Sequence, residues 1–137
     1  MEYINFIEKT NKIMSFKILV VDDDEEILNV INTILTIYEF DCLTISDWKL
    51  LNDNINVFNP DLILLDINLI GNDGRSLCKD LKNNIRTANI PVILFSSDHI
   101  DPKTFKECNA VAFINKPFDV KYFLETLKKH LPKEIPN

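Results

Sequence analysis

Short runs of consecutive apolar residues alternate along this chain with longer stretches in which apolar residues return every three or four positions. The short runs are Lys17 to Val21, Cys42 to Ile45, Leu62 to Leu65, Val92 to Phe95 and Val111 to Ile114. They are rich in branched side chains and bounded by polar clusters, which predicts β-strands. Several are apolar throughout, which predicts burial on both faces. Between the first two strands, Ile27, Val30, Ile31, Ile34 and Leu35 fall on one stripe of a helix. Leu77, Cys78, Leu81 and Ile85 predict another helix, and Val120, Phe123, Leu124, Leu127 and Leu131 a last one. The segment from Trp48 to Ile55 is less regular but occupies the place of a helix. Asp101 before Pro102 reads as a cap followed by proline at the first helical position. Five β-α units in succession predict an α/β fold, with a doubly wound parallel sheet covered by helices on both faces.

Residues 1 to 15 fit none of this rhythm, so the chain divides into an N-terminal extension over 1–15 and one domain over 16–137. Met14 directly precedes the first strand, and a natural start there is a second reading of the extension. A length of 137 residues with 46% apolar content suits a single buried core. No repeat, low-complexity tract or linker marks a further module, so a stand-alone domain is expected. With 21 acidic against 15 basic residues and a net charge of -6, nucleic acid is not expected as a direct partner. Cys42, Cys78 and Cys108 are widely spaced and show no ligand pattern, so they read as reduced packing residues. No apolar run approaches the roughly 20 residues that span a bilayer, and the first residues lack the features of a secretion signal. A cytoplasmic protein without membrane insertion is expected.

The chemistry gathers at the strand ends. The first strand ends in Asp22, Asp23 and Asp24, and the third in Asp66. Parallel neighbouring strands bring these acids to one edge, where open parallel sheets build their sites. Any single acid after a strand is as well explained as a helix cap, and Asp24, Glu25 and Glu26 suit a helix start. The set as a whole is harder to explain that way, because clustered carboxylates repel and call for a hard divalent cation, Mg²⁺ or in its place Mn²⁺. Ser96 and Ser97 end the fourth strand, and Asn115, Lys116 and Pro117 follow the fifth. A carboxylate nucleophile, a cation, a hydroxyl and an ammonium at matching strand ends make a phosphoryl-transfer centre.

Four segments carry a resemblance: K-I-L-V-V-D-D-D at 17–24, D-L-I-L-L-D-I-N-L-I-G-N-D-G at 61–74, P-V-I-L-F-S-S at 91–97 and A-F-I-N-K-P-F at 112–118. In this order and spacing the chain resembles the receiver domains of two-component response regulators, over roughly residues 16 to 131. The resemblance implies a flavodoxin-like sheet of order 2-1-3-4-5. It implies that Asp66 accepts a phosphoryl group and that Asp22 and Asp23 form the acidic pair, Asp23 being the more direct metal ligand. It implies further that Asn68 lends its backbone carbonyl to the metal, that Ser96 is a switch hydroxyl, that Lys116 pairs with the phosphoryl group, and that Phe113 is a switch aromatic. Pro117 falls where a cis peptide is common in the family. The implied partners are a sensor histidine kinase or phosphotransfer protein and an unnamed downstream protein, with signalling by binding rather than by turnover of a metabolite.

Two positions depart from the pattern. Ile70 stands where proline is usual, which predicts a looser loop, and Asn109 stands where glycine is frequent, a position asparagine tolerates. Asn68 and Asp98, two residues beyond the acceptor and the switch hydroxyl, are expected to flank the path of water to the acyl phosphate. A haloacid-dehalogenase-type phosphatase is the main rival, but it requires an acid where Asn68 stands. A receiver used as a phosphorylation-independent interaction module is the other.

Overall fold

A computed structural model describes residues 15–132 of the chain. The predicted extension, up to residue 14, and the last five positions, 133–137, lie outside the described residues.

Strands β1 (Lys17–Val21), β2 (Asp41–Ile45), β3 (Leu62–Asp66), β4 (Val92–Ser96) and β5 (Ala112–Asn115) form one parallel sheet in the order β2-β1-β3-β4-β5. They alternate with helices α1 (Glu25–Ile37), α2 (Leu51–Phe58), α3 (Gly74–Lys82), α4 (Pro102–Glu107) and α5 (Val120–His130). A 3₁₀ turn, Trp48–Leu50, leads into α2, which explains the weak periodicity predicted there. A two-stranded antiparallel ribbon, Asn68–Leu69 with Asn72–Asp73, follows β3 and was not legible as a pattern because each arm has only two residues.

The central strands β1, β3 and β4 are almost fully buried, as their continuous apolarity predicts. Alternate residues serve opposite faces. Leu19, Val21, Ile63, Leu65 and Leu94 pack with Leu51 and Ile55 of α2, Cys78 and Leu81 of α3, and Cys108 at the end of α4. Ile18, Val20, Leu62, Leu64, Ile93 and Phe95 pack with Leu28, Ile31 and Leu35 of α1 and with Phe123, Leu124 and Leu127 of α5. Burying a side chain of this size contributes roughly 1.5–3 kcal/mol, so these two layers dominate the stability of the fold. The exposed Arg75–Asp73 pair, at 2.6 Å, lies in the range of ~1 kcal/mol or less.

Four predicted apolar positions face solvent instead. Val30 is 52% exposed and Leu28 takes its place in the stripe, because the two lie about 200° apart around a helix of 3.6 residues per turn. Ile85 is 92% exposed because α3 ends at Lys82, and the turn beyond it is closed by the Thr87 hydroxyl donating to the Leu81 carbonyl at 2.6 Å. Val111 precedes β5 rather than opening it and is 39% exposed, as is Val120 at the start of α5. Asn109 adopts φ 64°, the left-handed conformation expected of it.

Each helical segment after a strand opens on an aspartate cap. Asp24, Asp47, Asp73, Asp101 and Asp119 each accept from a backbone N–H two or three residues on, at 2.8–3.2 Å. The capping role thus belongs to a separate group of acids at this edge, and Asp22, Asp23 and Asp66 are set apart from it.

Candidate functional site

The register of the sheet assembles the site. Val21 aligns with Leu65, Asp66 with Phe95, and Ser96 with Asn115, so Asp22, Asp66, Ser96 and Lys116 emerge at the carboxyl edge of adjacent strands. Asp22, Asp66 and Ser96 are 1%, 4% and 0% exposed. The Lys116 ammonium bridges the two carboxylates, 2.6 Å from Asp22 Oδ2 and 3.4 Å from Asp66 Oδ1, and stands 4.5 Å from the centre of the Phe95 ring. Its backbone N–H donates to the Ser96 carbonyl at 2.8 Å, and the Lys116–Pro117 peptide bond is cis.

Asp66 is the electrostatically stressed member. Burial first, and then the charge of Asp22, push its carboxyl up to about 6, against the opposing pull of Lys116 and of a backbone hydrogen bond from Asn68. At neutral pH it is still mostly the carboxylate, and so able to act as a nucleophile.

The Ser96 hydroxyl oxygen accepts from the Asn68 side-chain amide and from the Asp98 backbone N–H, both at 3.1 Å. Asn68 Nδ2 also donates to Asp98 Oδ2 at 2.8 Å. Phe113 lies on β5 opposite Leu94, half-buried against the core. Asp22 Oδ1 accepts from the Asp24 N–H at 2.9 Å, while Asp23 turns the other way and accepts from the backbone N–H of Ile70.

Among the described residues, no three His, Cys, Asp or Glu side chains converge as a ready-made metal cage. The donors that do lie at this edge are all hard oxygens: the carboxylates of Asp22, Asp23 and Asp66 and the carbonyl of Asn68. Mg²⁺ is commonly held by one or two carboxylates with water completing its shell, so this set suits it. The raised carboxyl of Asp66 fits as well, since burial and then the charge of Asp22 disfavour its ionised form, and a bound cation would offset both.

Three contributors escaped the sequence reading. Gly74 opens α3 against the end of β3, and a Cβ there would lie 2.1 Å from the Asp66 carbonyl oxygen. Any side chain would therefore displace the backbone that carries Asp66. Trp48 donates from Nε1 to the Ile70 carbonyl at 2.8 Å. Ile70 itself, expected in a looser loop, is held at both its backbone carbonyl and its N–H, by Trp48 and Asp23 respectively. The glycine carried a signal as the last residue of a quoted motif; the other two carried none, because backbone groups are invisible to residue patterns.

Comparison with known proteins agrees with this fold. The family model for the response regulator receiver domain matches residues 18–128, and the chain belongs to that family. The nisin biosynthesis regulatory protein NisR of Lactococcus lactis subsp. lactis is 30% identical over 126 residues, which cover 90% of this chain and 54% of that protein. The chain spans about half the length of the curated relatives it matches. The BeF3-activated N-terminal receiver domain of RstA from Klebsiella pneumoniae superposes with a TM-score of 0.76 at 31% identity, covering 83% of this chain and 97% of that one. The chemotaxis protein CheY4 of Vibrio cholerae shares the fold, with a TM-score of 0.79 at 22% identity over 85% of this chain and 99% of that one. The domain is thus a receiver domain of two-component systems, a signalling module with a flavodoxin-like sheet. Among the described residues, no helix is long and apolar enough to cross a membrane.

Proposed function

We propose that Asp66 is the phosphoacceptor of this receiver, taking its phosphoryl group from a phosphohistidine on a sensor histidine kinase or phosphotransfer protein. The observation that carries this reading is the placement of a buried, stressed carboxylate beside a bridging lysine at the carboxyl edge of the sheet. A carboxylate oxygen of Asp66 attacks phosphorus, the phosphorus–nitrogen bond breaks, and the histidine nitrogen leaves with the bonding pair. With the other ring nitrogen of the donor carrying a proton, the products are an acyl phosphate on Asp66 and a neutral histidine. Mg²⁺, or Mn²⁺ in its place, held by the Asp22/Asp23 pair, Asp66 and the Asn68 carbonyl, would neutralise phosphoryl charge during the transfer.

Lys116 already spans from Asp22 to Asp66, so its ammonium passes to a phosphoryl oxygen with little movement. The Ser96 hydroxyl then leaves Asn68 and Asp98 to donate to another phosphoryl oxygen, and the Phe113 ring follows into the space it vacates. This biases the fourth and fifth β-α units between two arrangements, and a downstream protein reads the result by binding. The domain, assigned to residues 16–137, assists its own modification and converts no separate metabolite. Its partners are proteins of the cytoplasm rather than nucleic acid, in keeping with the net charge of -6.

The test is transfer of labelled phosphate from a purified phosphohistidine donor. Label is expected on the wild type and not on Asp66→Asn; label on the variant would assign the acceptor elsewhere. Failure of transfer from a broad panel of donors would favour the phosphorylation-independent module.

A further inference from the structure

We propose that the backbone of Ile70 is a positioning element for cation binding at Asp23, tying that carboxylate through the loop after β3 to the indole of Trp48. The inference rests on the cation-assisted reading above. Asp23 follows β1, Trp48 follows β2 and Ile70 follows β3, so the backbone of one residue joins three separate β-α units. The Ile70 N–H donates to Asp23 Oδ2, and the Ile70 carbonyl accepts from Trp48 Nε1 at 2.8 Å.

The side chain of Ile70 is 81% exposed, so its hold on the loop is made by the backbone alone. Leu69, its neighbour, is buried and pairs with Asn72 across the ribbon, and Gly71 takes φ 79° to turn the chain between them. The same short segment carries Asn68, whose carbonyl belongs to the proposed donor set. Fixing Ile70 therefore fixes two prospective oxygen ligands, the Asp23 carboxylate and the Asn68 carbonyl, relative to one another.

A carboxylate has lone pairs on both oxygens, so an N–H on Oδ2 orients the group and leaves Oδ1 able to ligate. Hydrogen-bonding partners of metal ligands act in this way, and their removal typically weakens metal affinity by about 10–100-fold. Trp48 acts one step further out, through the Ile70 carbonyl, so its loss has the smaller effect. Identity of the side chain at 70 is immaterial on this account, provided the residue has an N–H to donate. Proline is the one residue that lacks it.

Mg²⁺ affinity, read by isothermal titration calorimetry on the full chain, separates the possibilities, with tryptophan emission as a second readout wherever Trp48 is retained. Wild type and Ile70→Ala are expected to bind alike. Ile70→Pro is expected to bind about tenfold more weakly, and Trp48→Phe to fall between, at about threefold. The emission change on adding Mg²⁺ is expected in wild type and Ile70→Ala at the same midpoint. Equal affinity in Ile70→Pro, or an equal loss in Ile70→Ala, overturns the role of the N–H. Should the proline variant not fold, unchanged binding in Trp48→Phe overturns the proposal on its own. A wild type that binds no Mg²⁺ removes the cation reading itself, an outcome distinct from either.

Discussion

The side-chain amide of Asn68 donates to the carboxylate of Asp98 at 2.8 Å, and the same amide and the Asp98 backbone N–H both donate to the Ser96 hydroxyl oxygen. Ser96 is thus engaged by two donors, and on the proposed mechanism its move toward a phosphorylated Asp66 gives up both bonds. Both residues are small, polar and exposed, so an opened bridge leaves room for water. Replacing them together with bulky or basic residues, Asn68→Arg with Asp98→Leu, is expected to slow loss of the phosphoryl group by ~10-fold, about 1.4 kcal/mol in barrier. A time course of intact mass after removal of the phosphodonor measures this, and an unchanged decay contradicts it.

Burial, and then the charge of Asp22, raise the Asp66 carboxyl against the pull of Lys116, which makes the stability of the metal-free protein depend on pH. The Asp66 carboxyl lies at about 6 in the folded chain against an ordinary 3.8. Between those values the folded state holds the proton more tightly than the unfolded state, so the Asp66 contribution to stability falls as pH rises through that window. With a chelator present, Asp66→Asn is expected to be more stable than wild type at pH 7, by on the order of 2 kcal/mol, and equal or less stable near pH 4. Urea unfolding at a series of pH values checks the sign, and a variant whose advantage does not grow with pH would argue against it.

Gly74 is where the fold tolerates least. A Cβ there would meet the Asp66 carbonyl oxygen, the Asp66 carbonyl carbon and the Ile67 Cα at 2.1, 2.8 and 2.9 Å, all of them backbone atoms. Gly74→Ala must push α3 away from β3 and is expected to destabilise by about 3 kcal/mol. Thermal or urea unfolding reads the loss, and a shift within ~0.5 kcal/mol of wild type would show that the helix start can move freely.

The thiols of Cys42 and Cys78 are pushed up to about 12, in both cases mainly by burial, with Cys108 adding to the effect at Cys78. From an ordinary value of 9.0, that lowers the thiolate fraction about a thousandfold at neutral pH. Alkylation of these two residues by iodoacetamide is expected to be slower than in urea-unfolded chain by about that factor, as followed by peptide mass mapping. Rapid labelling of the folded protein would mean that the two faces of the sheet open readily.

The strands and most of the site were legible in the sequence for a definite reason. Continuous apolar runs define buried parallel strands, and the polar residues that end them must then share one edge, so Asp22, Asp66, Ser96 and Lys116 could be brought together without coordinates. Element borders and helix faces were less legible: Val30 and Leu28 exchange places because neighbouring stripes differ by only part of a turn. What remained hidden was backbone chemistry. The Ile70 N–H and carbonyl, the close approach at Gly74 and the short ribbon after β3 depend on where the main chain runs, and no residue pattern encodes that directly.

The central claim, phosphorylation at Asp66 assisted by a cation, is tested most directly by intact mass after incubation with acetyl phosphate, with and without Mg²⁺, beside Asp66→Ala. A gain of one phosphoryl group that needs Mg²⁺ and is absent from the variant is expected. No gain in wild type under either condition, or a gain that survives in Asp66→Ala, would contradict it.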